Sequence, residues 1–166
     1  MILPIRAFGD AVLRKHCHEI DKDYPGLNEL ISNMFETMES AHGIGLAAPQ
    51  IGLDIRLFIA DLSPLAEDED YADIADELKD FKKVFINARI LEESGEEWKF
   101  NEGCLSIPEV REDVKRKSTI KIEYYDRNFV KHTDTFSDIR ARVIQHEYDH
   151  IEGILFTDHL SALKKK

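Results

Sequence analysis

The chain has 166 residues, 43% of them hydrophobic, which suits one domain able to bury roughly two-thirds of its unfolded surface. Its formal net charge of −11 at pH 7 argues against general nucleic-acid binding, because phosphate contacts require clustered Lys and Arg. The sequence has neither a signal-peptide pattern nor an apolar run of about 18 residues, so we expect a cytoplasmic protein without a membrane span.

The first predicted element is an amphipathic helix between Pro25 and Gly43. Its apolar residues keep helical spacing: Leu27, Leu30, Ile31, Met34, Met38 and Ala41. The following segment, residues 43–50, is rich in glycine and small side chains, which predicts a loop whose backbone passes close to another group. It is not a phosphate-binding loop, because no Gly-Lys-Ser/Thr follows.

Three segments rich in Val, Ile, Phe and Tyr are predicted as strands: residues 55–60, 83–91 and 118–126. Arg127 and Asn128 would form a turn from the last of them into a partner strand. Between the first two lies an acidic stretch, residues 67–80, with eight acidic residues and one lysine. We interpret it as an acidic, partly helical surface segment, for which a solvated face without a partner is the simplest explanation.

The last predicted helix begins at Ser137 as N-cap, has Asp138 in its first turn and ends near Gly153. It contains the pattern H-E-x-x-H. Its apolar stripe runs through Ile139 and Val143 into both histidines of that pattern, so the histidines should face the core.

On a helix, positions i and i+4 share one face, so His146 and His150 can bind a single divalent ion. Glu147 beside them would reach a water on that ion and act as a base. A catalytic site of this kind needs a third ligand, which an extended form of the motif places further along the chain. That form fails here, because Phe156 stands where the third histidine would be.

Cys104, in the segment Glu102-Gly103-Cys104-Leu105-Ser106, is the strongest upstream candidate for the third ligand. A thiolate with two imidazoles leaves the fourth metal position open for water, as catalytic sites require. Two cysteines in a cytoplasmic protein are better interpreted as free thiols than as a disulfide. The remaining candidates are weaker, and we expect surface or packing roles for them: His16, Cys17, His18, His42 and His132.

Three segments together resemble, in order, the signature motifs of the peptide deformylases: residues 43–50, residues 102–106 and residues 145–150. The resemblance runs from Ile2 to Leu160 and implies a single domain over residues 1–166, with residues 63–82 as an acidic surface insertion. The fold that it implies is α+β, with antiparallel β-sheets around a central α-helix that carries the H-E-x-x-H motif.

The resemblance also implies a role for each site residue. Cys104, His146 and His150 would be the metal ligands and Glu147 the general acid and base, while the Gln50 side chain and the Leu105 backbone N–H would stabilise the oxyanion. Gly45 would pair with the substrate backbone, Ile44 and Val143 would line the pocket for the methionine side chain, and Arg111 would border the site. Arg142 departs from the pattern, since other members have an aliphatic residue there.

The implied activity is removal of the N-formyl group from formyl-methionine at the N-terminus of newly made proteins. A water bound to one divalent ion would attack the formyl carbon; the resemblance implies Fe²⁺, with Zn²⁺ or Ni²⁺ able to substitute. The implied partners are formyl-methionyl nascent peptides presented to a monomer, with transient ribosome contact. Two alternatives are a small metallopeptidase and a catalytically inactive metal-binding interaction protein.

Overall fold

The protein is described here by a computed structural model in which residues 1–160 are placed, so the last six residues of the expected domain lie outside the described part. The helices are α1 (Leu27–Ser40), α2 (Ala75–Leu78) and α3 (Asp138–Ile151). The strands are β1 (Gly45–Ala47), β2 (Leu57–Asp61), β3 (Lys82–Cys104), β4 (Ile107–Tyr125) and β5 (Lys131–Ser137). The helix predicted between Pro25 and Gly43 is confirmed by α1.

The five strands form one antiparallel sheet in the order β1-β2-β3-β4-β5, so each strand pairs with its neighbour in sequence. All three predicted strands are present, and the predicted turn at Arg127 and Asn128 does connect β4 to β5. With α1 and α3 packed on this sheet, the α+β prediction is confirmed.

Strand β2 is buried on both faces, because the two long helices cover opposite sides of the sheet. Its side chains alternate in direction. Phe58 and Ala60 belong to the core cluster that includes the apolar residues of α3, whereas Leu57 and Ile59 belong to the cluster that includes those of α1. This double burial explains why β2 is a continuous apolar run and lacks an alternating pattern.

The hairpin of β3 and β4 is much longer than the sequence predicted. Strand β3 continues beyond residue 91 to Cys104, and residues 91–97 are exposed. Exposed charged residues leave no hydrophobic alternation to recognise, which is why this half of the strand was missed. Four register shifts interrupt the pairing, and such bulges bend and twist a hairpin. At its end, Cys104 pairs with Ile107 across a tight turn.

Helix α3 carries the H-E-x-x-H residues and has Ser137 at its N-cap position, as predicted, although the serine side chain makes no capping hydrogen bond. Ten of its fourteen residues are buried, both metal-motif histidines included. Among the described residues, no helix is long and apolar enough to cross a membrane.

The acidic stretch folds into turns of 3-10 helix, at Ser63–Glu67 and Glu69–Ile74, followed by α2. Leu78 and Phe81 are buried in the same core cluster as the apolar residues of α3, while all eight acidic side chains of residues 67–80 are exposed. The segment is therefore anchored to the core by its apolar residues.

Candidate metal centre

A cavity of about 450 Å³ opens beside α3, between the loop before β1 and the turn of the long hairpin. Nine of the ten predicted site residues line it: Ile44, Gly45, Gln50, Cys104, Leu105, Arg111, Val143, His146 and Glu147. The tenth, His150, lies deeper and is only 1% exposed. Residues from three separated segments of the chain thus meet at one cavity.

Three donor side chains converge at the inner end of this cavity. Each of Cys104, His146 and His150 offers one ligand atom, and these atoms lie within 4.8 Å of one another. The Cys104 Sγ is 3.3 Å from Nε2 of His150. One helical turn separates the two histidines on α3, and the hairpin turn supplies the cysteine from the other side.

Glu102 fixes the orientation of the first histidine. Its Oε1 lies 2.9 Å from His146 Nδ1, which leaves Nε2 of that ring to face an ion, in the carboxylate–histidine arrangement common at metal sites. The carboxylate also binds the Arg116 guanidinium at 2.7 and 3.0 Å. Burial alone would raise the pKa of Glu102, but hydrogen bonds from His146 and Arg116 outweigh it and hold the pKa well below its usual range.

The surroundings of the three donors suit a cation. Burial disfavours a charged imidazolium at His146, yet Cys104, Glu102 and Glu147 outweigh burial and raise the pKa of His146 to about 10. Burial and the charge of His146 lower the pKa of His150 well below its usual value. One thiolate with two imidazoles is also a donor set that divalent transition metals accept.

Glu147 lies against this triad on the wall of the cavity. Burial raises the pKa of its carboxyl to about 7, although His146 acts in the opposite direction. Its Oε1 is buried and has no hydrogen-bond partner among residues 1–160, so a water or substrate atom would satisfy it. Its other oxygen, Oε2, lies where a Cβ on Gly45 would come within 2.5 Å, so the glycine makes room for the carboxylate.

Gln50 is oriented from both ends of its amide. The Ala47 backbone N–H donates to Oε1 at 2.9 Å, so Nε2 faces Ser106 Oγ at 3.3 Å and Cys104 Sγ at 3.4 Å. Leu105 lies in the hairpin turn, on the cavity wall. A side-chain amide and a backbone segment therefore flank the sulfur, on the cavity side of the triad.

Arg111 lies at the outer edge of the cavity. Its guanidinium donates to Asn101 Oδ1 at 2.7 Å and to the Asn101 carbonyl at 2.8 Å. A Cβ on Gly103 would lie 2.6 Å from its Nη1, so the side chain crosses directly over that glycine.

The weaker ligand candidates do not join the triad. His16 Nδ1 lies 2.8 Å from Glu152 Oε2, and His18 Nε2 lies 3.6 Å from Asp54 Oδ2. Cys17 is buried as a free thiol, as is expected of a packing residue. His132 pairs with Asp126. The fifth candidate, His42, lines the cavity but does not belong to the group of converging donors.

The sequence did not reveal the buried charge cluster behind Cys104, His146 and His150. Arg116 and Arg142 both bind Glu102, and both are buried. A signal for Arg142 was present, because an arginine on the apolar stripe of α3, four residues before His146, requires a buried partner. The partner itself lies 40 residues away in sequence, on β3, and only the fold reveals it.

Comparison with known proteins gives a consistent result. The family model described as polypeptide deformylase matches residues 2–166. A peptide deformylase of Christiangramia forsetii is 63% identical over 100% of this chain and 85% of that relative. Among solved structures, the peptide deformylase of Legionella pneumophila has a TM-score of 0.85 with 36% identity, over 99% of this chain and 89% of its own. That of Thermotoga maritima has a TM-score of 0.82 with 35% identity, over 97% and 99%.

Proposed function

The chain belongs to the polypeptide deformylase family, and on that premise we propose that Cys104, His146 and His150 hold one divalent ion for the hydrolysis of N-formyl groups. Enzymes of this family remove the formyl group from nascent peptides in a metal-dependent reaction. The observation that carries the assignment is the convergence of the three donor atoms within 4.8 Å at a cavity whose wall includes Glu147.

The bound ion would supply an activated water and polarise the formyl oxygen. We propose Fe²⁺ as the physiological ion, with Zn²⁺ or Ni²⁺ able to substitute. The mixed thiolate and imidazole donor set supports a transition metal, and the family resemblance favours iron. Metal analysis after anaerobic purification tests this choice, and a predominance of Zn²⁺ under those conditions would contradict it.

Glu147 is proposed as the general base and acid. An amide has a poor leaving group, so its hydrolysis needs a proton removed from the nucleophile and a proton delivered to the departing nitrogen. A carboxyl whose pKa burial raises to about 7 can exchange protons in both directions near neutral pH. Its unpartnered Oε1 is the atom that we assign to this transfer.

Gln50 and Leu105 are proposed as donors to the developing negative charge on the formyl oxygen. The Gln50 amide is already turned by Ala47 so that Nε2 faces the cavity side of Cys104. Fixed donors of this kind need no rearrangement during the reaction, and the loss of one typically costs about 2.7 to 4 kcal/mol.

The remaining wall of the cavity is proposed to bind the peptide. The Gly45 backbone would pair with the substrate main chain from an edge strand of the sheet, because β1 has a neighbour only on its β2 side within residues 1–160. Ile44 and Val143 would contact the methionine side chain, and Arg111 would border the peptide further out.

A deformylation assay on a formyl-methionyl tripeptide, run beside the same peptide without the formyl group, tests the proposed function. We expect turnover of the formylated peptide alone. Cleavage of internal bonds in the unformylated peptide would indicate a metallopeptidase. Full metal occupancy without turnover of either peptide would indicate a binding protein.

We further propose a cytoplasmic monomer of one domain, residues 1–166, with residues 63–82 as an acidic surface insertion and with transient ribosome contact. The two free cysteines support a reducing compartment. Size-exclusion chromatography tests the monomer, and co-sedimentation with ribosomes at low and high salt tests the contact. A stable dimer or the absence of co-sedimentation would contradict the respective proposal.

A further inference from the structure

Arg142 is a buried cation in the wall of the candidate site, at the position where the sequence departs from an aliphatic pattern. It is 2% exposed and lies on α3 one helical turn before His146. A buried guanidinium is costly unless its charge and its N–H groups are matched. Both terminal nitrogens of Arg142 have partners, whereas its Nε has none among residues 1–160. Its contacts therefore show what it holds in place.

The two terminal nitrogens of Arg142 bind both strands of the long hairpin. Nη1 donates to Glu102 Oε2 at 2.7 Å and to the Val114 carbonyl at 2.9 Å, and Nη2 donates to the Trp98 carbonyl at 2.6 Å. Glu102 and Trp98 lie on β3, and Val114 lies on β4. One side chain of α3 thus connects the helix that carries two of the ligands to both strands of the hairpin that carries Cys104.

The same arginine completes the hydrogen bonding of Glu102. Oε2 accepts from Arg116 Nε and Arg142 Nη1, both at 2.7 Å. Oε1 accepts from Arg116 Nη2 at 3.0 Å and lies 2.9 Å from His146 Nδ1. A carboxylate has about four lone-pair sites, so all of them are occupied. Glu102 therefore has one orientation, and that orientation fixes the ring of His146.

Two aromatic rings lie beside the guanidinium. Cζ of Arg142 lies 4.6 Å from the ring centroid of Trp98 and 5.7 Å from that of Phe100, both on β3. A lysine could keep the positive charge, but its single ammonium lacks the fork of two terminal nitrogens that binds these three acceptors. The planar fork of arginine is the property that this location uses.

We propose that Arg142 is a positioning residue that fixes Cys104 relative to His146 and His150, and thereby sets how firmly the site retains its metal. It acts through Glu102 and through the carbonyls of Trp98 and Val114. The inference rests on the metal ligands assigned under the proposed function. Under this proposal, a residue that is not itself a ligand contributes to the retention of the ion.

The first measurement is the rate at which a chelator removes metal from the purified protein. Loss of a group that orients a metal ligand typically lowers metal affinity about 10- to 100-fold, so we expect Arg142→Leu to release metal at least about tenfold faster. Arg140→Leu is the matched control, because Arg140 lies on the same helix and its guanidinium pairs with Asp138. We expect its release rate to equal that of the parent protein.

The second measurement is the thiolate-to-metal charge-transfer absorption of the Co²⁺-substituted protein, which depends on the geometry of Cys104. We expect Arg142→Leu to shift or weaken this band and Arg142→Lys to restore it only in part. A general loss of stability would lower the resistance to urea without moving the band. If Arg142→Leu does not fold, Arg142→Lys tests the proposal by the same two measurements, the rate of metal release and the charge-transfer band.

Two results would overturn the proposal. One is an Arg142 variant with parental release rate and an unchanged band; the other is equal acceleration by Arg140→Leu. Cys104→Ala separates this failure from an error in the ligand assignment. If the charge-transfer band is still present in the Cys104→Ala protein, the assigned ligands are wrong. If Cys104→Ala removes the band but the Arg142 variants change neither the band nor the release rate, the ligand assignment stands and only the positioning role is rejected.

Discussion

Gly45 and Glu147 lie so close together that the identity of one constrains the position of the other. A Cβ at position 45 would come within 2.5 Å of Glu147 Oε2 and 2.9 Å of its Cδ. Contacts this short cannot persist, so either the carboxylate or the β1 backbone would move. The absence of a side chain at Gly45 thus contributes to the placement of the proposed base.

We predict that Gly45→Ala lowers kcat about 100-fold while the metal content stays equal to that of the parent. The reason is that displacement of a catalytic group by about 1 Å can cost a factor of this size. Steady-state kinetics and metal analysis on the same preparation check it. An unchanged kcat would mean that the carboxylate position does not limit the reaction.

For Glu147→Ala we predict a fall in kcat of about 10²- to 10⁴-fold, the usual contribution of a positioned proton-transfer group. The metal should remain, because the three assigned ligands are untouched. Metal analysis separates the roles: loss of the ion together with activity would show that Glu147 is itself a ligand.

The long hairpin and α3 are joined by the buried cluster of Glu102, Arg116 and Arg142. The folded pKa of Glu102 lies below its value in the unfolded chain, which is about 4.3. Its contribution to stability is therefore complete above that pH and is lost as the pH falls towards the folded pKa, because the unfolded chain takes up the proton first.

We predict that Glu102→Gln lowers the free energy of unfolding by about 3 to 5 kcal/mol at pH 7, the usual effect of breaking a buried ion pair. The difference between parent and variant should narrow as the pH falls below about 4.3. Urea unfolding of both metal-free proteins between pH 7 and pH 3 measures this. If the free energies of unfolding of the parent and the variant differ by the same amount at every pH, protonation of Glu102 does not cause the pH dependence.

How far an element could be predicted from the sequence depended on whether burial leaves a periodic pattern. Helix α1 and the face of α3 that carries His146 and His150 follow such patterns, and the structure confirms both helices. The outer half of β3 is exposed, so its charged residues gave no strand signal. The partners of Arg142 lie on two distant strands, and no local pattern identifies contacts that only the fold creates.

The acidic segment, residues 67–80, is part of the packed structure of the molecule because Leu78 is fully buried. We predict that Leu78→Ala lowers the free energy of unfolding by about 2 to 5 kcal/mol, the range for removal of a buried leucine side chain. Asp73→Ala, at an exposed position in the same segment, should change it by no more than about 0.5 kcal/mol. Urea unfolding measures both, and equal effects would contradict the assigned burial.

The burial of β2 on both of its faces has a consequence for chemistry at the cavity. A slip of one residue in its pairing would send Phe58 towards α1 and Ile59 towards α3, exchanging the contents of two packed cores. Such a slip is strongly disfavoured, so the pairing of Gly45 with Ala60 is fixed as well. The distance between Gly45 and the Glu147 carboxylate is therefore set by hydrophobic side chains of β2 that do not line the cavity.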